Sequence, residues 1–182
     1  MRSEADPAKL PASAAEITFV GRSNVGKSTL LNALCRKDLA RVSQNPGCTR
    51  LINVFQAGQR WLVDLPGYGF ATGPEKERAN WAPMIEAYLT GRPSLRMIFM
   101  LVDAKVGPTK LDLSMLEWLE EADKPWRVVA TKTDQVKRSK ADAQRRAVAH
   151  AMGLQPEEVA WVSAAEGWGV GPLRDEASRL LA

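Results

Sequence analysis

Short apolar runs alternate with amphipathic stretches along most of the chain, and the runs end in polar, often glycine-bearing loops. Ile17–Val20 reads as a buried strand, followed by the loop Gly21–Ser28. Thr29–Lys37 carries Leu30, Leu31 and Leu34 on one helical face. Asp38–Arg50 is polar and broken by Pro46 and Gly47, which predicts a loop. Leu51–Phe55 and Trp61–Val63, on either side of Gly58, predict two neighbouring strands. Pro66, Gly67, Gly69, Gly73 and Pro74 predict a long flexible segment before a helix around Trp81–Leu89. Leu95–Val102 is almost wholly apolar, as a strand covered on both faces should be. Leu111, Met115, Trp118 and Leu119 have helical spacing, and Trp126–Ala130 is a further strand. Ser139–Met152 reads as a charged amphipathic helix, Val159–Val162 as the last strand and Leu173–Leu181 as a closing helix. The alternation predicts an α/β fold of three layers: a mostly parallel six-stranded sheet with helices on both faces. Ligands of such sheets bind beyond the carboxyl ends of the strands. The polar motifs follow strand ends or lie in the loop before the second strand, so one pocket can collect them.

At 182 residues the chain suits one domain, taken as residues 16–182 behind a flexible tail over residues 1–15. No apolar run approaches the ~20 residues needed to span a bilayer. The start, with Pro7 and Pro11, has no apolar stretch of signal-peptide length. These features predict a cytoplasmic protein, a monomer with no membrane partner. Cys35, Cys48 and a single His150, with no Cys-x-x-Cys spacing, argue against zinc and for a reducing compartment. The net charge of +4 permits an anionic partner such as RNA without singling it out.

The chemistry concentrates in four motifs. Gly21-Arg22-Ser23-Asn24-Val25-Gly26-Lys27-Ser28, continuing into Thr29, matches G-x-x-x-x-G-K-S/T. Its glycines let backbone amides turn inward around phosphate oxygens, Lys27 reaches the β- and γ-phosphates, and the Ser28 hydroxyl joins a magnesium shell. The helix behind it adds its positive N-terminal end. Asp64-Leu65-Pro66-Gly67 ends the third strand. There a carboxylate can hold a magnesium-bound water, and the Gly67 amide can meet the γ-phosphate. Thr49, beside Gly47 and Cys48, has two readings: a further magnesium ligand in the GTP state, or an ordinary loop threonine. Thr131-Lys132-Thr133-Asp134 separates GTP from ATP. Asp134 can accept from guanine N1–H and the 2-amino group together, donors that adenine lacks. The Lys132 stem can lie along the base, and Ser163-Ala164-Ala165 can offer backbone N–H to guanine O6. Lys27, Thr49 and Gly67 are the candidate catalytic residues, and Ser28, Thr49 and Asp64 the candidate metal ligands.

With GRSNVGKSTLLNAL at 21–34, PGCTR at 46–50, DLPGYG at 64–69 and TKTD at 131–134, the sequence resembles the translation-factor-like P-loop GTPases. Within them it is most similar to the EngB (YihA/YsxC) family of ribosome-assembly GTPases. The resemblance runs from about Glu16 to the C-terminus and is looser after Asp134. It implies the P-loop GTPase fold, GTP and GDP as ligands with Mg2+, and a role in maturing the bacterial large ribosomal subunit, with rRNA and ribosomal proteins as partners. A link to cell division and septation is implied as well. Signalling-type GTPases follow D-x-x-G with a water-positioning glutamine, and Tyr68 stands there in this chain. The expected intrinsic rate is therefore slow, at or below the order of 10⁻³ s⁻¹. Related GTPases that lack the glutamine and carry an asparagine at the position of Asn24 use a K+ ion near the β- and γ-phosphates, which makes K+ a candidate cofactor here.

Lys132, Lys137, Arg138, Lys140, Arg145 and Arg146 form a basic stretch with two readings, an rRNA-phosphate contact or a solvated helix face. Trp61, Trp118, Trp126 and Trp161 are expected to pack in the core, Trp81 and Trp168 stay open, and His150 is given no catalytic role. The residues leave two rival readings. A P-loop small-molecule kinase would need no T-K-T-D at a strand end. A GTPase of tRNA modification or targeting usually carries an additional domain.

Overall fold

The computed structural model describes residues 2–36, 51–68 and 75–182, the side chains of 75–82 excepted. Among the described residues one sheet has seven strands: β1 (Arg2–Glu4), β2 (Ala15–Gly21), β3 (Ile52–Ala57), β4 (Arg60–Asp64), β5 (Leu95–Asp103), β6 (Trp126–Thr131) and β7 (Ala160–Trp161). Their order is β1-β3-β4-β2-β5-β6-β7. The pairs from β4 to β7 are parallel, whereas β1–β3 and β3–β4 are antiparallel. The helices are α1 (Lys27–Cys35), α2 (Glu75–Gly91), α3 (Lys110–Glu121), α4 (Ala141–Ala151) and α5 (Val170–Leu180).

The period-2 alternation of the central strands sorts their side chains into two cores. In β5, Ile98, Met100 and Val102 join one apolar cluster while Phe99 and Leu101 join the other. The first cluster is covered by α2 through Ile85, Tyr88 and Leu89, by α3 through Leu116 and Leu119, and by α4 through Val148 and Ala149. The second is covered by α1 through Leu30, Leu31 and Leu34, and by α5 through Val170, Leu173 and Ala177. Phe19 of β2 stacks on Phe99 with ring centroids 5.3 Å apart. Each fully buried side chain of this kind stabilises the fold by about 1.5–3 kcal/mol relative to exposure. Arg174 of α5 donates to the carbonyls of Leu34 (2.9 Å) and Ala33 (2.8 Å) at the C-terminal end of α1. That cation satisfies orphan carbonyls and anchors the helix.

Two expectations need correction. The first 15 residues are not a tail over their described part, Arg2 onward. Ser3 pairs with Asn53 at the sheet edge, Pro7–Lys9 form a short 3-10 turn, and Leu10 is buried. Pro7 begins that turn, and Asp6 accepts from the Ala8 amide at 3.0 Å. The prolines thus shape an ordered segment, and this segment supplies the strand beyond the predicted six. The first helix starts at Lys27 and not Thr29. Gly26 turns the chain at φ 99°, which places Lys27 and Ser28 in the first helical turn. Of the four tryptophans assigned to the core, Trp61 is fully buried, and Trp118, Trp126 and Trp161 pack against the core half-buried.

Candidate functional site

The loop from Gly21 to Ser28 joins the end of β2 to the start of α1, and its glycines are fixed by space and by backbone. A Cβ on Gly21 would sit 2.9 Å from Val25 Cγ1, closer than real contacts allow, and a tight 3.0 Å from Leu101 Cβ. Gly26 needs the left-handed region, and Asn24 also adopts it at φ 63°. The turn closes through the Val25 amide on the Arg22 carbonyl, 3.2 Å.

The segment after β4 lies directly on this loop. Ser23 N–H donates to Tyr68 O at 3.0 Å and Tyr68 N–H to Gly21 O at 3.2 Å. A Cβ on Gly67 would come within 3.0 Å of the Ser23 nitrogen, so a side chain there would press on the loop backbone. Lys27 and Asp64, both nearly sealed from solvent, form an ion pair in which the Lys27 ammonium donates to Asp64 Oδ1. Leu65 and Pro66 are buried beneath the segment. Ser28 and Thr29, half-buried in the first turn of α1, follow Lys27. Gly47, Cys48 and Thr49 lie outside the described residues, as does Gly69.

On the other side of the loop, the end of β6 is tied to it by side chains. Thr131 Oγ1 donates to the Val25 carbonyl at 2.6 Å and lies 3.1 Å from the Val102 carbonyl. Lys132, at φ 55°, turns its ammonium onto the Asn24 carbonyl (2.7 Å) and Asp103 Oδ2 (2.8 Å). Its stem runs beside Gly26, where a Cβ would meet Lys132 Cε at 3.7 Å. Burial alone would raise the Asp103 pKa. The Lys132 ammonium and the amides of Val106 and Lys105 outweigh it and hold the carboxyl below its usual range.

Between these elements is a cavity of about 170 Å³ lined by Gly26, Lys132, Asp134, Val162, Ala164 and Ala165, among others. Asp134 Oδ1 accepts from Ser163 Oγ at 2.6 Å, and Thr133 N–H donates to Val162 O at 3.2 Å. The Ser163 amide, expected to face a base oxygen, donates instead to the Trp168 carbonyl at 2.9 Å. The return of the chain from Ser163 to Trp168 takes that donor, and Ala164 and Ala165 are the residues of the triplet that line the cavity.

Two carboxylates escaped the sequence reading. Asp103 ends β5 as Asp64 ends β4, a polar residue closing an apolar run. Asp112 is fully buried, yet accepts from Tyr68 Oη (2.9 Å), Arg22 Nε (3.2 Å) and the Thr109 amide (2.8 Å). The T-x-x-D spacing of Thr109 and Asp112 is a helix capping signature and was available to find it. Burial, and then the Asp112 charge, push the Tyr68 hydroxyl far above its usual range, so it is held as a neutral donor. That hydroxyl points into α3, where it is engaged by Asp112.

The sequence profile of the 50S ribosome-binding GTPases matches residues 16–132. A Geobacter sulfurreducens protein named "Probable GTP-binding protein EngB" is 47% identical over 156 residues, 85% of this chain and 76% of the relative. The protein of that name from Thermotoga maritima is 43% identical over 170 residues, 91% of this chain and 86% of the relative. The crystal structure of a "probable GTP-binding protein engB" superposes with a TM-score of 0.75 at 26% identity, over 92% of this chain and 98% of that one. Aquifex aeolicus Era bound to GDP·AlF4⁻ shares the fold at a TM-score of 0.72 and 24% identity, over 92% of this chain and 56% of that one.

Proposed function

This chain belongs to the EngB family of GTP-binding P-loop GTPases, and on that premise we propose that it is a nucleotide-controlled assembly factor for the bacterial large ribosomal subunit. The ribosomal step is supported by the match to a family described as 50S ribosome-binding. A cytoplasmic setting and the family's link to cell division and septation belong to the same proposal.

In this reading the amides of Gly21–Thr29 grip the phosphates and Lys27 moves from Asp64 onto the β- and γ-phosphate oxygens. The donor set suits magnesium: Ser28 offers a hydroxyl and Asp64 a carboxylate, hard oxygens of the kind this ion takes beside substrate phosphates. Magnesium, when bound, neutralises charge on those phosphate oxygens, and Thr49 is its further ligand in the GTP state. The Gly67 amide senses the γ-phosphate. Asp134 reads guanine, with Ala164 and Ala165 beside the base and the Lys132 stem along it. The observation that carries the reading is the cavity at Asp134 set against a loop whose one ammonium is paired with a carboxylate able to serve a metal.

Hydrolysis proceeds slowly without a partner, at or below about 10⁻³ s⁻¹, because no side chain in the D-x-x-G segment orients water. Asn24, exposed on the loop, is the proposed K+ contact; equal GTPase rates in potassium and sodium at one ionic strength would remove that part. Co-sedimentation of the protein with purified large subunits tests the assembly role. Binding is expected with GTP and lost with GDP, and equal binding in both states would overturn nucleotide control.

A further inference from the structure

The loop that closes the guanine cavity builds a second, larger depression on its other side. This groove, about 650 Å³, lies between the segment after β6, α4 and the loop after β7. Its size is within the roughly 300–1,000 Å³ of ligand clefts. Lys137, Arg138 and Arg145 line it together with Gln144, Trp161 and Trp168.

We propose that this groove binds a single-stranded RNA segment, with a base stacked on Trp168 and phosphates on Lys137, Arg138 and Arg145. The proposal rests on the ribosomal reading for the source of the RNA and adds the surface that receives it.

Three observations carry it. Trp168 is 57% exposed, an uncommon position for the largest side chain in a soluble fold. Its backbone is nonetheless held. The Ser163 amide donates to its carbonyl, and Gly169 packs so tightly on Trp161 that a Cβ would overlap the Trp161 carbonyl oxygen at 2.1 Å. A fixed backbone beneath an exposed ring is a preorganised stacking platform.

The charge is equally placed. Arg145 is held over the Trp161 ring at 5.6 Å, in cation–π contact and facing the groove. Among the described residues neither Lys137 nor Arg138 forms an ion pair. The acidic lining residue, Asp134, accepts from Ser163 and also lines the guanine cavity. Cations on an aromatic-walled groove complement a polyanion that carries stacking faces.

The test uses the full chain and a labelled, mixed-sequence single-stranded RNA of about 12 nucleotides, followed by fluorescence anisotropy. Trp168→Ala is expected to weaken binding about tenfold, and Trp168→Phe to recover most of it, because a ring face remains. Neutralising the cations together (Lys137→Gln, Arg138→Gln, Arg145→Gln) is expected to reduce the log–log salt slope by about 2, from about 0.7 per phosphate contact. Undetectable wild-type binding, unchanged binding by Trp168→Ala, or equal losses in the Ala and Phe variants would each overturn the proposal. An acidic peptide competing as well as the RNA would overturn it too, and would assign the groove to protein. Sedimentation with large subunits separates the two claims. If the wild type sediments and Trp168→Ala sediments equally well, the groove proposal falls and the ribosomal reading stands. If the wild type does not sediment, the ribosomal reading falls, and the anisotropy result decides the groove alone.

Discussion

Two buried ion pairs sit towards opposite ends of the neighbouring parallel strands β2 and β4, and they are built in opposite ways. At the start of β2, Glu16 accepts from Arg92 Nε (2.9 Å) and Ser94 Oγ (2.8 Å), and also from Ser13 and Tyr88. Arg92 goes on to the carbonyls of Leu10 (3.3 Å) and Pro11 (2.8 Å) and lies over the Trp61 ring. Burial by itself would raise the Glu16 pKa. The donors, Arg92 foremost, outweigh it and hold the carboxyl below its usual 4.5. At the carboxyl end of β4, Lys27 pairs with Asp64, and among the described residues no other side chain joins them. The first pair is a closed network that locks the N-terminal segment and α2 to the sheet. Among the described residues the second is an isolated pair beside the phosphate loop. One is complete without a ligand, and the other, in the function proposed above, is a placeholder for one.

Replacing both members of each pair breaks or sharpens that contrast. Lys27→Met with Asp64→Leu is expected to reduce GTP affinity about 1,000-fold, since the phosphate-facing charges are gone. The same double variant should leave folding stability unchanged or higher, as replacing an isolated buried pair by apolar residues often does. Calorimetry and denaturant melts on one sample check both halves. Glu16→Leu with Arg92→Met should do the reverse. It should lose about 3 kcal/mol of stability, because a tyrosine and two carbonyls lose their partners and the two serines keep only each other. Its nucleotide dissociation constant should hold. A neutral melt for this variant would erase the distinction.

Tyr68→Phe comes next in size. It removes a hydrogen bond to a buried carboxylate and should cost about 1.5 kcal/mol. Asp112 keeps Arg22 and the Thr109 amide, which limits the loss. The smallest effect is on acid stability. Because Glu16 is lowered when folded, its contribution is complete above 4.5 and is lost as pH falls through the folded value. Asp103 acts in the same direction. Glu16→Gln should therefore show a shallower decline in stability below pH 4.5 than wild type, though not a flat one.

What could be read from the chain divides along the same line. The placeholder end was legible because its residues are contiguous: Gly21–Ser28, Asp64–Gly67 and Thr131–Asp134 each announce themselves within eight positions or fewer. The alternation of Leu95–Val102 with its neighbours also fixed the layers, since each run needs cover on both faces. The closed end was not legible. Glu16 reads as a lone acid before a strand, and its partners lie up to 78 positions away. β1 was missed for the same reason. A three-residue polar strand exists only because β3 offers it an edge. Ser163 shows the limit within the site itself. Its place at a strand end was readable, but the return contact to Trp168 that takes its amide was not.

The most direct test of the account is calorimetric titration of wild type and Asp134→Asn with GDP, ADP and xanthosine diphosphate. Wild type should bind GDP and show no ADP binding. The variant should lose about 100-fold or more in GDP affinity and gain xanthosine diphosphate, whose ring oxygen suits an amide donor. Equal GDP and ADP affinity in wild type, or undiminished GDP affinity in Asp134→Asn, would contradict it.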